Sequence, residues 1–127
     1  MAQIGPGLVL TIEVEPDDDE GTLARMAHRV LTLRCFDGPQ GRLSLSVQEM
    51  HGEILSIPQP LTTLRRSAVG RPQLVSHDAY DEHANLIWIR FNEALQSGDV
   101  PVCEGRFGAR MRVGSVADGP FQFTLQE

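Results

Sequence analysis

Gly105-Arg106-Phe107-Gly108-Ala109-Arg110-Met111, continued by the valine-bearing run 111–117 and closed by Asp118-Gly119-Pro120, is the stretch that decides the fold. Two glycines flank an Arg-Phe pair, a strand-like segment follows, and an Asp-Gly-Pro turn ends it. Glycine reaches backbone conformations closed to other residues, and proline removes a main-chain donor, so such a series marks turns between short strands. The pattern predicts strands over 100–107, 111–116 and 121–125, separated at Gly108 and at Gly119-Pro120.

Working back, residues 79–96 carry Tyr80, Ala84, Ile87, Trp88, Phe91, Ala94 and Leu95 at helical spacing. Asp78 is placed as its cap and Gly98 as its stop. Residues 8–14 are apolar and β-branched, which predicts a strand. Pro16 and Asp17-Asp18-Asp19 end that strand and put acids at the start of a helix over 19–33. Its apolar positions are Leu23, Met26, Ala27, Val30, Leu31 and Leu33. A turn is expected over 37–41, and a half-buried strand where Leu43, Leu45 and Val47 alternate with polar residues. A further strand is expected over 54–57, ended by Pro58 and Pro60. Residues 61–77 read as irregular, either a linker or a site loop. The order predicts one α+β domain with a mixed sheet and two main helices on one side.

With 127 residues the chain suits a single domain that buries roughly two-thirds of its extended surface. The net charge of −6 lacks the basic excess usual in nucleic-acid binders. Charge is unevenly spread, however. Arg65, Arg66 and Arg71 form one basic group and Arg106, Arg110 and Arg112 another, while acids crowd into 13–20 and 78–82. Phosphate contacts follow the local field, so those arginines read either as a phosphate-binding face or as solvated loops. Cys35 and Cys103 are far apart and form no metal-like spacing with histidine, which implies free thiols in a reducing compartment and no metal or cofactor. No signal-like opening and no run near the roughly twenty apolar residues of a membrane span is present, so a cytoplasmic protein without a membrane is expected.

Side-chain catalytic constellations are absent from the sequence: it holds no GxSxG elbow and no phosphate-binding Walker loop. His28, His51, His77 and His83 are unclustered and read as surface residues, with His77 the one that could serve as a loop acid or base. Cys35 reads as a small buried hydrophobe rather than a nucleophile, and Cys103 likewise.

Ile4-Gly5-Pro6-Gly7-Leu8-Val9-Leu10, Leu43-Ser44-Leu45-Ser46-Val47, and the Gly-Arg-Phe-Gly and Asp-Gly-Pro blocks stand in an order that resembles the D-aminoacyl-tRNA deacylase family. The resemblance spans nearly the whole chain. It implies a homodimer that acts on tRNA and cleaves the ester to a D-amino acid or glycine. In that family a Ser-Gln-Phe-Thr stretch lines a pocket at the dimer interface, and a cis Gly-Pro pair from the other subunit excludes L-amino acids. Main-chain groups and the tRNA's own terminal 2′-hydroxyl take the place of an acid–base side chain. Carried onto this sequence, Gly119 and Pro120 shape the pocket with Phe121 and Phe107. Gln59, Thr62 and Thr63 become the catalytic candidates, and Arg65, Arg66 and Arg71 the tRNA contacts.

The sequence departs from the family where the chemistry sits. Pro58-Gln59-Pro60-Leu61 lies over Ser-Gln-Phe-Thr, and only Gln59 is kept. Pro60 has no N–H; if that amide stabilises the oxyanion, its loss costs about 3–4 kcal/mol, or a hundred- to thousand-fold in rate. Leu61 removes a hydroxyl, which Thr62 and Thr63 replace if the loop shifts by one residue. Phe121-Gln122 replaces Val-Thr, Ala117 replaces the usual Asn, and Arg110 stands where Asp is common. Only Met1-Ala2-Gln3 precede Ile4, whereas the family has an opening strand there, so a sheet edge is left to be covered or paired. Two readings follow: an aminoacyl-tRNA deacylase, or a catalytically silent or repurposed paralogue that keeps the fold and binds a partner.

Overall fold

In β1 (Gly7–Ile12), the apolar residues on one face are Leu8, Leu10 and Ile12, all packed against the core, while Val9 and Thr11 face outward. That alternation is the signature of a strand with one covered face. The computed structural model describes residues 2–59, 82–106, 111–119 and 121–127, together with the backbone of 61–66 and 72–77.

Helix α1 (Glu20–Thr32) begins where the sequence places it. Asp19 is the N-cap, and its Oδ1 accepts from the Thr22 main-chain N–H at 2.9 Å and from the Thr22 hydroxyl at 3.0 Å. The Thr22 amide holds the Asp19 carboxyl below its ordinary range, because the bond needs the carboxylate. A carboxyl lowered in the folded state stabilises fully above its unfolded value and loses that contribution as pH falls through the lowered one. Asp19→Ala is therefore expected to lower the thermal midpoint at pH 7 and to match the parent protein at pH 2. A deficit that persists unchanged at pH 2 would contradict the capping role.

Leu23, Ala27, Val30 and Leu31 form the buried stripe of α1 and meet α2 (Glu82–Gln96), which buries Ile87, Trp88, Phe91, Asn92 and Leu95. Together with Val47, Ile54 and Val100 they make the core. Burying each large aliphatic side chain contributes about 1.5–3 kcal/mol. The Asn92 amide is out of contact with solvent, and among the described residues neither its nitrogen nor its oxygen has a hydrogen-bond partner. A buried amide left this way costs about 1–3 kcal/mol. Asn92→Leu should accordingly stabilise the protein by about 1 kcal/mol; a lower melting temperature would show that an internal water bonds the amide.

The helices cover one face of a sheet with order β1-β4-β7, where β4 is Glu53–Pro58 and β7 is Val102–Glu104. Both pairings are parallel, with Leu8 beside Ile54 and Ile54 beside Val102. Ser56 points into the core in the middle of β4, and its Oγ accepts from the Trp88 indole Nε1 at 2.9 Å, fastening sheet to helix. The other face carries Val9, Leu55 and Cys103 in one row and Thr11 and Ile57 in the next. Val9 is 45% exposed.

Two antiparallel hairpins complete the described chain: β2 (Phe36–Gly38) with β3 (Gly41–Leu45), and β5 (Leu61–Arg66) with β6 (Pro72–His77). A small turn after β3 is locked by a reciprocal pair, in which the Ser46 N–H donates to Glu49 Oε1 and Ser46 Oγ accepts from the Glu49 N–H.

The single-domain expectation stays a reading of the sequence, whereas the α+β class, the two helices and the mixed strand directions stand in the structure. Three local expectations need correcting. Residues 61–77, read as irregular, contain the β5–β6 hairpin. Leu43, expected half-buried, is 38% exposed with φ of 51°, because its N–H turns to the Asp37 carboxylate at 3.0 Å. Of the three C-terminal strands only β7 forms; 111–117 and 121–127 are irregular and mostly exposed. The Asp78 cap and Tyr80 lie outside the described residues.

Candidate functional site

Gln59 directly follows β4 and is exposed; its N–H donates to the Ile12 carbonyl at 2.8 Å, prolonging the β1–β4 ladder by one rung. The chain then enters β5, where Thr62 stands opposite Ser76 and Thr63 opposite Val75. A paired strand fixes main-chain donors in direction, which is what a site built on backbone N–H groups requires. Farther along β5, Arg65 is opposite Gln73 and Arg66 opposite Pro72. Gln59, Thr62 and Thr63 thus sit at one end of the β5–β6 pair, with Arg65 and Arg66 at the other. Pro60, Arg71, Phe107 and Pro120 lie outside the described residues, and so does the Gly119–Pro120 peptide.

Gly119 has φ of +123°, a region that side-chain-bearing L-residues avoid. A Cβ there would come within 2.6 Å of the Phe121 ring. Phe121 is 43% exposed, stacks on Phe123 with centroids 6.4 Å apart, and lies under the Arg42 guanidinium at 5.8 Å. Phe121 lines a cavity of about 610 Å³ between β1 and the C-terminal segment, and Gln59 does not. Among the described residues, Gln59 and Phe121 therefore do not share that cavity.

Cys35 is buried and burial pushes its thiol up, which disfavours a thiolate nucleophile. Cys103 is half-exposed, 3.5 Å from the Gln3 carbonyl. His28 and His51 are exposed, and a ring nitrogen of His83 contacts the Asp18 carbonyl at 3.2 Å. His77 ends β6 opposite Leu61. Among the described residues no three His, Cys, Asp or Glu side chains converge as a metal site would need. The sequence reading missed two features: the Ser56–Trp88 bond, signalled only by a serine inside an apolar strand, and the cavity beside β1, which no local pattern reveals.

Comparison with known proteins matches residues 1–126 to the model of the D-Tyr-tRNA(Tyr) deacylase family. A D-aminoacyl-tRNA deacylase of Bifidobacterium longum subsp. infantis is 48% identical over 123 residues, covering 97% of this chain and 75% of the relative. The protein of that name from Psychromonas ingrahamii is 36% identical over 126 residues, 99% of this chain and 86% of the relative. A solved structure called "c-Myc DNA Unwinding Element Binding Protein" superposes with a TM-score of 0.75 at 27% identity, covering 93% of this chain and 80% of its own. With its fold and nearly its whole length accounted for, the chain belongs to the D-Tyr-tRNA(Tyr) deacylase family.

Proposed function

We propose that the protein hydrolyses the ester joining a D-amino acid, or glycine, to the end of tRNA. The observation that carries this reading is the 48% identity over 97% of the chain to a protein named for that reaction. Water adds to the ester carbonyl, the bond from the acyl carbon to the ribose oxygen breaks, that oxygen takes a proton, and the amino acid leaves as its carboxylate. The developing oxyanion is met by main-chain N–H groups of the 61–63 stretch, with Gln59, Thr62 and Thr63 lining the pocket. Pro60 supplies no donor and the Gln59 N–H is held by the Ile12 carbonyl, so the residues after Pro60 provide it. Preformed donors of this kind are worth about 3–4 kcal/mol each, because they need no reorganisation as charge develops.

Gly119 and Pro120, backed by Phe121 and Phe107, form the wall that rejects an L side chain; glycine passes because it has none to reject. Arg65, Arg66 and Arg71 meet tRNA phosphates, a local basic field on an acidic protein. The working form is a cytoplasmic homodimer. Supporting this is the half-exposed sheet face that bears Val9, Leu55, Ile57 and Cys103, an apolar surface suited to a second copy. The described residues include no helix long and apolar enough to cross a membrane.

The test is to follow loss of the aminoacyl group from D-tyrosyl-tRNA and glycyl-tRNA with purified protein, and to weigh the protein by sedimentation. Turnover by a particle of two-chain mass is expected. Replacing Thr62 and Thr63 together by Ala removes two pocket hydroxyls but no main-chain N–H and should slow turnover by no more than about tenfold. Intact substrates after prolonged incubation with folded protein would remove the deacylase reading.

A further inference from the structure

The β2–β3 hairpin departs from a regular ladder, and the departure surrounds Arg42. Phe36 packs against the core and pairs with Leu45, while Gly38 pairs with Gly41, and the register shifts between the two pairs. Gly41 has φ of 128° and Leu43 φ of 51°, so Arg42 stands between two residues in the positive-φ region. A leucine enters that region only at a cost in free energy. The Asp37 carboxylate, which accepts the Leu43 N–H at 3.0 Å, offsets it, and the Ser44 hydroxyl donates to the Gly41 carbonyl at 2.9 Å. Both bonds fix the backbone on either side of Arg42.

The guanidinium so placed lies over the Phe121 ring, 5.8 Å from its centroid, within the range at which a cation is attracted to an aromatic face. Among the described residues Arg42 forms no ion pair, whereas Arg25, Arg29, Arg34 and Arg90 each meet a glutamate. Phe121 in turn stands against Gly119. Two of its ring carbons are 2.6 and 2.8 Å from where a Cβ on Gly119 would be, so the ring fills the space that a side chain would take. The Phe123 ring, inclined by 21° to it, supports Phe121 from a second direction. A chain of contacts thus runs from the hairpin through one ring to the glycine with φ of +123°.

We propose that Arg42 is a positioning residue for the choice between D and L substrates: its guanidinium holds the Phe121 ring against Gly119, and the ring holds the Gly119–Pro120 wall. This rests on the reading of Gly119 and Pro120 as the wall that rejects an L side chain. Arg42 itself touches no substrate and acts only through Phe121. An exposed arginine on an acidic protein that handles tRNA has a simpler use, a phosphate contact. The two roles leave different marks. A lost phosphate contact weakens every aminoacyl-tRNA alike, whereas a loosened wall leaves tRNA affinity intact and lets the wrong enantiomer through.

The experiment measures kcat and KM on D-tyrosyl-tRNA and glycyl-tRNA, and follows L-tyrosyl-tRNA with enzyme in excess. It compares the parent protein with Arg42→Met, Arg42→Lys, Phe121→Leu and the Arg42→Met/Phe121→Leu pair, each checked for folding by circular dichroism. Methionine keeps an unbranched stem and drops the charge. In Arg42→Met, kcat on D-tyrosyl-tRNA is expected to fall about threefold, the scale of one exposed cation–ring contact. KM for both substrates should stay at the parent value, and L-tyrosyl-tRNA should be lost faster than with the parent. Arg42→Lys, which keeps a cation, should restore most of the parent behaviour. Once Phe121 is Leu, Arg42→Met should change nothing further, because the two residues act as one unit. A KM that rises by the same factor for D-tyrosyl-tRNA and glycyl-tRNA, with or without the Phe121 ring, would overturn the proposal in favour of a phosphate contact. Loss of L-tyrosyl-tRNA no faster than with the parent would overturn it as well. An active parent with an insensitive Arg42→Met removes this proposal alone, while a parent inert on all three esters removes the deacylase reading and the proposal with it.

Discussion

Gly7→Ala is expected to destabilise the protein by about 3 kcal/mol, lowering the thermal midpoint by roughly 10 °C. A Cβ at Gly7 would overlap the Glu53 carbonyl oxygen and stand 2.7 Å from its carbon and nitrogen. These are main-chain atoms of the neighbouring strand, so no side-chain rotation relieves the overlap. Gly7 is registered with Glu53, whose N–H bonds the Pro6 carbonyl at 3.1 Å; the first rungs of the β1–β4 ladder must separate to admit a methyl group. The strand that opens there carries Leu8 and Leu10 into the core. Gly114→Ala is the control: a Cβ at that position meets nothing within 4 Å, and the midpoint should not move. Differential scanning calorimetry on the two variants decides the matter. Equal midpoints would mean that the glycine of the Ile-Gly-Pro-Gly block is there for another reason.

Gly119→Ala carries the largest expected effect on activity: about a hundredfold loss in kcat/KM for D-aminoacyl-tRNA. The positive φ of +123° places a Cβ against the Phe121 ring. Holding an L-residue in that conformation costs about 1–3 kcal/mol locally, so the backbone relaxes instead. A pocket wall displaced by about 1 Å loses roughly that factor in rate. Because 118–119 and 121 are exposed, global stability should fall far less than in Gly7→Ala. Steady-state deacylation beside circular dichroism separates the two effects. Unchanged kcat/KM in a folded Gly119→Ala variant would place the residue outside the site.

Elements that carry their own periodicity were legible in the sequence, and elements that depend on distant partners were not. Helix α1 starts at its Asp19 cap and buries Leu23, Ala27, Val30 and Leu31 because a 3.6-residue stripe and a capping carboxylate are local properties. β1 and β4 follow from their apolar, β-branched composition. The β5–β6 hairpin was hidden because its strands mix threonine, arginine, proline and histidine, so no apolar face announces pairing. The opposite error arose at 111–116 and 121–125. There valine and phenylalanine have strand propensity, but a strand also needs a neighbour's backbone, which composition does not report. Leu43 failed for a local reason, since the Asp37 carboxylate captures its N–H and draws φ positive.

The site was legible only in part. The candidates Gln59, Thr62, Thr63 and Gly119 come from the resemblance alone, through the family's Ser-Gln-Phe-Thr stretch and its Gly-Pro pair. The hairpin that orders Thr62 and Thr63 came from the structure alone. Cavity walls assembled from β1, α1, α2 and 121–127 have no contiguous signature. Backbone-based chemistry also leaves little residue-type signal. An N–H donor belongs to every residue except proline, so in sequence such a site is recorded mainly by where proline and glycine stand.

The most direct measurement compares D-tyrosyl-tRNA with L-tyrosyl-tRNA under identical conditions, with glycyl-tRNA as a third substrate. A wall made of main chain at Gly119 and Pro120 should let the D-ester and the glycyl ester be hydrolysed while the L-ester persists at its spontaneous rate. Equal hydrolysis of both enantiomers, or none of any ester, would contradict the account.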